Sequence, residues 1–229
     1  MKYNFHVYVH FSGNASLLNK CLKTLIPQAK QFSTYENPVI ILNNTKENLN
    51  NWIYDKEGWI ELKPPTPLIW ATAHNWLLTL AHDNNESFAF SCHTDVELLD
   101  GAIQEILDKY ETIKDTKWYC IFANECLGMQ NIKFFYDENV WYDAFLFPMY
   151  YSDNHIARIA FIRGWKEEMY YSPRVIHNKS HTIREDSVMA RRNSLGFDTA
   201  GAIYARIWGG LPGHETSNDK YASGTVYKK

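Results

Sequence analysis

The chain has 229 residues, of which 45% are apolar and 21% charged, and its formal net charge is −3. This length and apolar fraction suit one globular domain, and the weak charge argues against the broad basic footprint of a nucleic-acid-binding protein. No run approaches about 18 apolar residues, and the N-terminus lacks a signal-peptide core, so we expect a soluble cytoplasmic protein without a membrane span. The four cysteines show no CxxC spacing, which indicates free thiols in a reducing compartment.

Strand and helix patterns alternate through the first half of the chain. Helical spacing of apolar residues predicts a first helix over SLLNKCLKTLIPQ, with Ser16 as its N-cap and Pro27 at its end. Two further helices are predicted over PLIWATAHNWLLTLAH and ELLDGAIQEILDKYE, and strands over NFHVYVHFSG, NPVIILNNT, WIELKPP, SFAFSCHT and KWYCIFANE. This order favours an α/β fold with a doubly wound, mostly parallel sheet.

The alternation loosens from about residue 128 onward. The sequence there is aromatic and mixed, with one predicted strand, MYYSPRVIH, and one predicted helix, SVMARRNSLGF. The Gly- and Pro-rich stretch IYARIWGGLPGHETSNDKY is typical of a loop. We therefore expect a single domain over residues 1–229 with an irregular C-terminal region. The aromatic fraction of 15% fits either a large core or a surface that stacks on sugars or bases.

Polar residues follow several predicted strands, where ligands of such sheets bind. They are Ser12-Gly13-Asn14, Asn43-Asn44, His93-Thr94-Asp95 and Asn124-Glu125. The sequence has no GxGxxG after the first strand, no P-loop, no GxSxG elbow and no zinc-finger spacing. Asp95 is either the N-cap of the following helix or a ligand of a hard divalent cation that binds phosphate oxygens.

Six motifs, in chain order, resemble those of family 2 glycosyltransferases with the GT-A fold, and together they span nearly the whole chain. The third of them ends in a DVEL metal motif, and the fourth is similar to the acidic motif that carries the family's base. The motifs are LLNKCLKTLIPQ, VIILNNT, ATAHNWLLTLAHDNNESFAFSCHTDVEL, YYSDNHIARIAFIRGW, PRVIHNKSHT and IYARIWGGLPGHE.

The resemblance implies an inverting transfer of a sugar from a nucleotide-diphosphate sugar to an acceptor hydroxyl. Asp95 and His177 would bind Mn²⁺ or Mg²⁺ beside the diphosphate, and Asp153 would be the general base. A donor-binding half, residues 1–127, and an acceptor half, residues 128–229, follow from the same resemblance. The donor contacts would come from Ser12, Asn43, Asn44, Asn75 and Thr94, and from a mobile loop of Trp208, Gly209 and Gly210.

Several alternatives stay open at the level of sequence. Asp153 could be a turn residue, in which case Asp186 of the Glu185-Asp186 pair would be the base. His93, His181 or His214 could contact the metal instead of His177. Asn75 and Trp208 could each serve packing alone. The acceptor could be a hydroxymethylated base of phage DNA or a saccharide, and a non-catalytic nucleotide-sugar or carbohydrate-binding domain is the competing function.

Overall fold

A computed structural model of the chain describes residues 1–54, 57–178 and 187–217. Six helices flank a seven-stranded sheet and a two-stranded ribbon in this part of the chain. The helices are α1 Ala15–Phe32, α2 Trp70–Asp83, α3 Ala102–Ile113, α4 Ile132–Asp137, α5 Ser152–Ile162 and α6 Ser187–Trp208. The strands are β1 Val7–Phe11, β2 Val39–Asn43, β3 Trp59–Leu62, β4 Ala89–Cys92, β5 Val96–Leu98, β6 Trp118–Ala123, β7 Leu127–Gln130, β8 Lys166–Tyr170 and β9 Val175–His177.

The large sheet is mostly parallel, as its sequence pattern predicts. Its strand order is β3-β2-β1-β4-β7-β6-β8, and β7 alone runs antiparallel to its two neighbours. All five residues of β2 are buried, because helices cover both faces of a central parallel strand. Strands β5 and β9 pair antiparallel in the separate ribbon.

Two apolar cores lie on opposite faces of the sheet. Val7, Val9 and Phe11 of β1 join the core beneath α1 and α3, whereas Tyr8 joins the core formed with α2, α4, α5 and α6. This alternation follows from the two-residue period of a strand. Each such side chain, when fully buried, stabilises the fold by about 1.5–3 kcal/mol. The two cores therefore fix the sheet, and with it the strand ends.

Helix α1 differs from its prediction at both ends. Asn14, and not Ser16, caps it by accepting a hydrogen bond from the backbone N–H of Leu17 at 3.1 Å. The helix also continues through Pro27 to Phe32. Pro27 is exposed, while Ala29 and Phe32 beyond it remain buried. Packing of this last turn outweighs the proline's cost of about 3 kcal/mol.

The segment after Asp95 forms strand β5 where the sequence pattern predicts the start of a helix. Helix α3 begins only at Ala102, after Gly101 takes a left-handed φ of 82°. Likewise, the predicted strand MYYSPRVIH divides into β8, in the large sheet, and β9, in the ribbon. Asp95 is therefore not a helix cap. Pairing between β5 and β9 has prevailed over local helical periodicity.

The C-terminal part contains more regular structure than its sequence pattern suggests. Helices α4 and α5 lie in the stretch expected to be irregular, and α6 extends to Trp208, through residues expected in a loop. Tyr151, with a left-handed φ of 62°, precedes α5 directly. Among the helices described, none combines the length and the apolar character needed to cross a membrane.

Candidate functional site

The polar residues that follow the parallel strands come together at one edge of the sheet. Ser12 follows β1, Asn43 ends β2, His93 follows β4 and Asn124 follows β6. Strands β1, β2 and β4 are parallel, and β6 joins them through the antiparallel β7, so all four end at the same edge. We call this the carboxyl edge of the sheet.

Three potential metal ligands cluster at the carboxyl edge. One ligand atom each from His93, Asp95 and His177 can be chosen so that all lie within 4.8 Å of one another. The Asp95 Oδ1 atom is 3.3 Å from His177 Nε2, and the two imidazole rings are 5.6 Å apart between centroids. This is the one such group of His, Cys, Asp and Glu within residues 1–54, 57–178 and 187–217.

The β5–β9 ribbon sets this arrangement. Its register places His177 opposite Val96, the neighbour of Asp95, and the backbone N–H of Asn178 donates to the Asp95 carbonyl at 2.9 Å. On the other side, the backbone N–H of His93 donates to the Cys126 carbonyl at 2.9 Å. Backbone hydrogen bonds therefore hold each of the three residues, so the cluster does not depend on flexible loops.

The electrostatics of the cluster favour the deprotonated forms of Asp95 and His93, which are the forms that bind metals. Burial alone would raise the pKa of Asp95, but the hydrogen bond from His177 and the charges of His177 and His93 outweigh it and lower the pKa. Burial lowers the pKa of His93 to about 4, against the attraction of Asp95. At neutral pH, His93 is thus a neutral imidazole and Asp95 a carboxylate.

The donor set fits a divalent transition-metal ion. Two imidazole nitrogens and one carboxylate oxygen leave positions open for phosphate oxygens or water. Mg²⁺ takes mainly oxygen ligands, so these histidines favour Mn²⁺ over Mg²⁺. The His177 Nδ1 atom is buried and has no hydrogen-bond partner, so the ring depends on its Nε2 side for polar contacts.

Asp153 occupies the first turn of α5 and is exposed to solvent. Protein packed around the carboxylate removes part of its hydration. This desolvation, with the negative charges of Glu167 and Glu125, raises the pKa of Asp153 to about 7, although a hydrogen bond from Tyr142 opposes the rise. A carboxylate with such a pKa can take up a proton near neutral pH.

Asn75 holds the backbone of Tyr142. Its side-chain amide donates to the Tyr142 carbonyl at 2.8 Å, and its side-chain oxygen accepts from the Tyr142 N–H at 2.9 Å. Gln130 donates a short hydrogen bond to the Tyr142 hydroxyl. The polar groups of Asn75 are thus committed to the loop that contacts Asp153, and not to an open surface.

Asn43 and Asn44 are likewise committed to internal hydrogen bonds. Asn43 is buried; its amide donates to Glu47 O at 2.9 Å and to Glu61 Oε1 at 2.6 Å, and its oxygen accepts from Thr45. Asn44 exchanges two hydrogen bonds with the backbone of Leu68. Both side chains therefore shape the carboxyl edge. The predicted contact residues Ser12 and Thr94 differ from them, since Ser12 is exposed and Thr94 lies between His93 and Asp95.

The expected mobile loop of Trp208, Gly209 and Gly210 is instead a packed turn. Trp208 is fully buried and its indole N–H donates to His155 Nδ1 at 3.1 Å, so the ring offers no face to a ligand. A Cβ on Gly209 would lie 2.3 Å from Thr216 Oγ1, and one on Gly210 only 2.0 Å from the His214 carbonyl. The turn requires glycine because the chain folds back so closely.

The other sequence candidates fall outside the cluster or outside the described residues. His214 is exposed and takes no part in the cluster. His181, Glu185 and Asp186 lie outside the described ranges.

Sequence reasoning left His10 and His74 without a role. Burial lowers the pKa of His10 to about 4 and that of His74 to about 3, and both feel the charge of His93. His74 stacks on Trp70 with 3.8 Å between ring centroids. The alternation of β1 places the side chain of His10 on the opposite face of the sheet from those of Val9 and Phe11. This pattern is the sequence signal from which the position of His10 could have been predicted.

Comparisons with known proteins support the fold. No family model matches the chain, and no curated protein matches it either. Among solved structures, the mannosyltransferase PcManGT from Pyrobaculum calidifontis, in complex with GDP-Man and Mn²⁺, is similar with a TM-score of 0.56 and 11% identity, over 93% of this chain and 77% of that one. S. aureus TarS 1–349 in complex with UDP-GlcNAc gives a TM-score of 0.54 and 9% identity, over 90% of this chain and 73% of that one.

A further TarS 1–349 structure gives a TM-score of 0.51 at 10% identity, and there the match covers 74% of this chain. This chain spans only 60% of the length of that one. At such identities the likeness shows the fold alone. The predicted α/β architecture of GT-A type is thereby confirmed.

Proposed function

We propose that this protein is a metal-dependent glycosyltransferase that moves a sugar from a nucleotide-diphosphate sugar to an acceptor hydroxyl with inversion. The observation that carries the proposal is the cluster of His93, Asp95 and His177 at the carboxyl edge of a GT-A sheet. Structurally similar proteins were solved with GDP-Man and Mn²⁺ and with UDP-GlcNAc, which supports this class of donor.

His93, Asp95 and His177 are the residues that would hold the ion. When bound, a divalent cation supplies positive charge that neutralises a diphosphate leaving group. The protein's own contribution is to present three ligands from fixed backbone positions, with His177 on the ribbon and Asp95 directly before it. Exposed Ser12 and half-buried Thr94, on neighbouring strand ends, are the side chains that we assign to donor contact.

Asp153 is the general base in this proposal. Its carboxylate accepts the proton of the acceptor hydroxyl while that oxygen bonds to the anomeric carbon. The bond from this carbon to the diphosphate oxygen breaks in the same displacement, and its electron pair leaves with the diphosphate. Attack opposite the leaving group inverts the anomeric configuration. A pKa of about 7 matches a base working near neutral pH.

Tyr142 supports the base without reacting. Its hydrogen bond to Asp153 stabilises the charged carboxylate and limits the pKa rise that desolvation causes. The family resemblance implies that Asn75 contacts the donor. In this proposal Asn75 acts indirectly instead, because it holds the backbone at Tyr142.

A thermal-shift screen of nucleotide sugars, with and without Mn²⁺, tests the function. We expect stabilisation by one donor class that depends on Mn²⁺, and slow Mn²⁺-dependent hydrolysis of that donor. The Asp95→Ala variant should lose both effects. Donor binding without any hydrolysis or transfer would favour the non-catalytic alternative, and no response to any nucleotide sugar would overturn the proposal.

A further inference from the structure

A cavity of about 610 Å³ opens beside the metal-ligand cluster. His177 forms part of its wall, next to Val175 and Ile176 of β9, and the turn after β6 forms another part. Such a volume lies within the range of small-molecule sites. None of the ligands assigned above occupies this space, although an acceptor must approach the reacting carbon from nearby.

Glu125 stands at this cavity in a costly backbone conformation. Asn124, Glu125 and Cys126 connect β6 to β7, and the first two take left-handed φ values of 51° and 60°. Turns of this kind favour glycine at the second position, and a non-glycine residue there costs about 1–2 kcal/mol. Residues with strained backbone cluster at functional sites, and Glu125 brings a carboxylate to this one.

The cavity also carries apolar surface that is exposed to solvent. Tyr171 is 82% exposed, and Met169 and Ile176 are 45% and 44% exposed. A tyrosine ring offers a flat apolar face and a polar tip, which suits the apolar face and hydroxyl rim of a sugar ring. The side chain of the neighbouring Asn124 is held in place, because its amide donates hydrogen bonds to the carbonyls of Ser172 and Val175.

The charge around the cavity disfavours a polyanion. Among residues 1–54, 57–178 and 187–217, those that line it include the Glu125 carboxylate but no lysine or arginine. Arg174, the basic residue in the same loop, donates to the Asp100 carbonyl at 2.5 Å and lies 3.7 Å from Glu105. DNA binding depends on lysine and arginine contacts to phosphates, and like charges repel.

We propose that this cavity is the acceptor site and that it takes a neutral saccharide. The sugar ring lies on Tyr171, and a sugar hydroxyl donates a hydrogen bond to Glu125. This inference rests on the proposed function, since it names the acceptor class of that site. It excludes duplex DNA as the acceptor.

The experiment compares two acceptor classes with the Mn²⁺-dependent donor found in the screen. A panel of methyl glycosides and disaccharides is one arm, and duplex DNA containing 5-hydroxymethylcytosine is the other, with products detected by mass spectrometry. We expect saccharide products only. Transfer to the DNA with no saccharide product would overturn the inference.

Two variants locate the saccharide. Tyr171→Ala should raise the acceptor KM at least tenfold while the donor-induced thermal shift stays unchanged. Glu125→Gly should raise the acceptor KM as well, but it should also raise the melting temperature, because it relieves the left-handed strain. A merely structural residue would not lose acceptor affinity while it gains stability.

Matched controls come from other parts of the chain. Phe161→Ala removes an exposed ring that does not line the cavity, and Asn85→Gly relieves a left-handed φ of 53° elsewhere. Both variants should keep the wild-type acceptor KM. An unchanged KM in Tyr171→Ala and Glu125→Gly would contradict the inference.

Failure of this inference is distinguishable from failure of the proposed function. A protein that hydrolyses a nucleotide sugar with Mn²⁺ but uses no saccharide fails the inference alone. If no donor binds, saturation-transfer NMR with the same glycosides still tests the cavity. Binding that is lost in Tyr171→Ala supports a saccharide site, and absence of binding to wild type rejects it.

Discussion

The Asp95 Oδ1 atom lies 3.3 Å from His177 Nε2, and the two residues come from opposite halves of the chain. Their contact lowers the pKa of Asp95 and occupies the atoms that a metal would use. Protons and a divalent cation would compete for these atoms, so metal affinity should fall as the pH is lowered.

Replacing Asp95 by Asn should abolish stabilisation by Mn²⁺, because the amide lacks the negative charge that binds the ion. At an Mn²⁺ concentration 100 times its Kd, we expect the wild type to gain about 2.7 kcal/mol in free energy of unfolding. Urea unfolding with and without Mn²⁺ measures this gain. Asp100→Asn, at an exposed position nearby, should keep it. An equal Mn²⁺ response in Asp95→Asn would remove Asp95 from the metal site.

His93→Gln should weaken Mn²⁺ binding at least tenfold, since the variant loses one of three ligands. Isothermal titration with Mn²⁺ gives the Kd directly. His82→Gln is the control, because His82 is exposed and stacks on Tyr136 away from the cluster. Unchanged affinity in His93→Gln would leave Asp95 and His177 as the protein's ligands.

Asp153→Asn should reduce kcat by about 10²–10⁴-fold while donor affinity is retained. In the wild type, kcat should rise with pH through about 7, as the base loses its proton. The variant should lack this rise. A pH profile of both proteins makes the comparison, and loss of donor binding in the variant would indicate a structural role.

The raised pKa of Asp153 also predicts that the stability of the protein depends on pH. The pKa of Asp153 is raised on folding from 3.8 to about 7, so the native state binds the proton more tightly than the unfolded state. The stability that this proton binding adds is fully present below pH 3.8 and is lost as the pH rises through 7. Asp153→Asn should therefore be more stable than wild type at pH 8, with the difference shrinking towards pH 4.

Gly128→Ala should destabilise the β6–β7 hairpin severely. A Cβ on Gly128 would lie 2.1 Å from the backbone carbonyl of Ile121, which cannot move without disrupting the sheet. We expect a loss of about 3 kcal/mol or more in the free energy of unfolding. Gly196→Ala, in helix α6 with its nearest atoms at 4.0 Å, should stabilise the protein by about 0.5–1 kcal/mol. Urea unfolding distinguishes the two.

Asn75→Ala should cost about 1–3 kcal/mol in stability, because the backbone N–H and carbonyl of Tyr142 lose their partners. Donor Kd should change little, since the amide does not face an open surface. Chemical unfolding and donor titration on the same variant test both statements. A large loss of donor affinity at unchanged stability would restore Asn75 to the donor site.

The large sheet was predictable because its signals are local. The apolar run of β2 follows from burial on both faces of the sheet, and the alternation of β1 follows from the two-residue period of a strand. Both patterns can be recognised from neighbouring residues alone. The ends of α1 were not predictable in the same way. Burial of Ala29 and Phe32 against the sheet carries that helix past Pro27, and burial is a property of the folded state.

The site was predictable only in part. The resemblance identified Asp95 and His177 as candidate ligands. The ribbon that brings them together was not predicted, because the residues of β5 follow a helical pattern. His93 gave no periodic signal, since only the turn between β4 and β5 directs it towards His177. The pKa of Asp153 depends first on desolvation by the folded protein and then on Glu167 and Glu125, which lie elsewhere in the sequence. The turn at Asn124 and Glu125 lacks the glycine by which such turns are recognised.

The β5–β9 ribbon also governs when the site can exist during synthesis. Its two strands are far apart in sequence, so the entropy of closing this long loop delays their pairing relative to local contacts. While β9 is still inside the ribosome, His177 cannot reach Asp95. A nascent chain at this stage therefore lacks one of the three metal ligands. Metal loading must therefore wait for β9, and it reports that this strand has docked on β5.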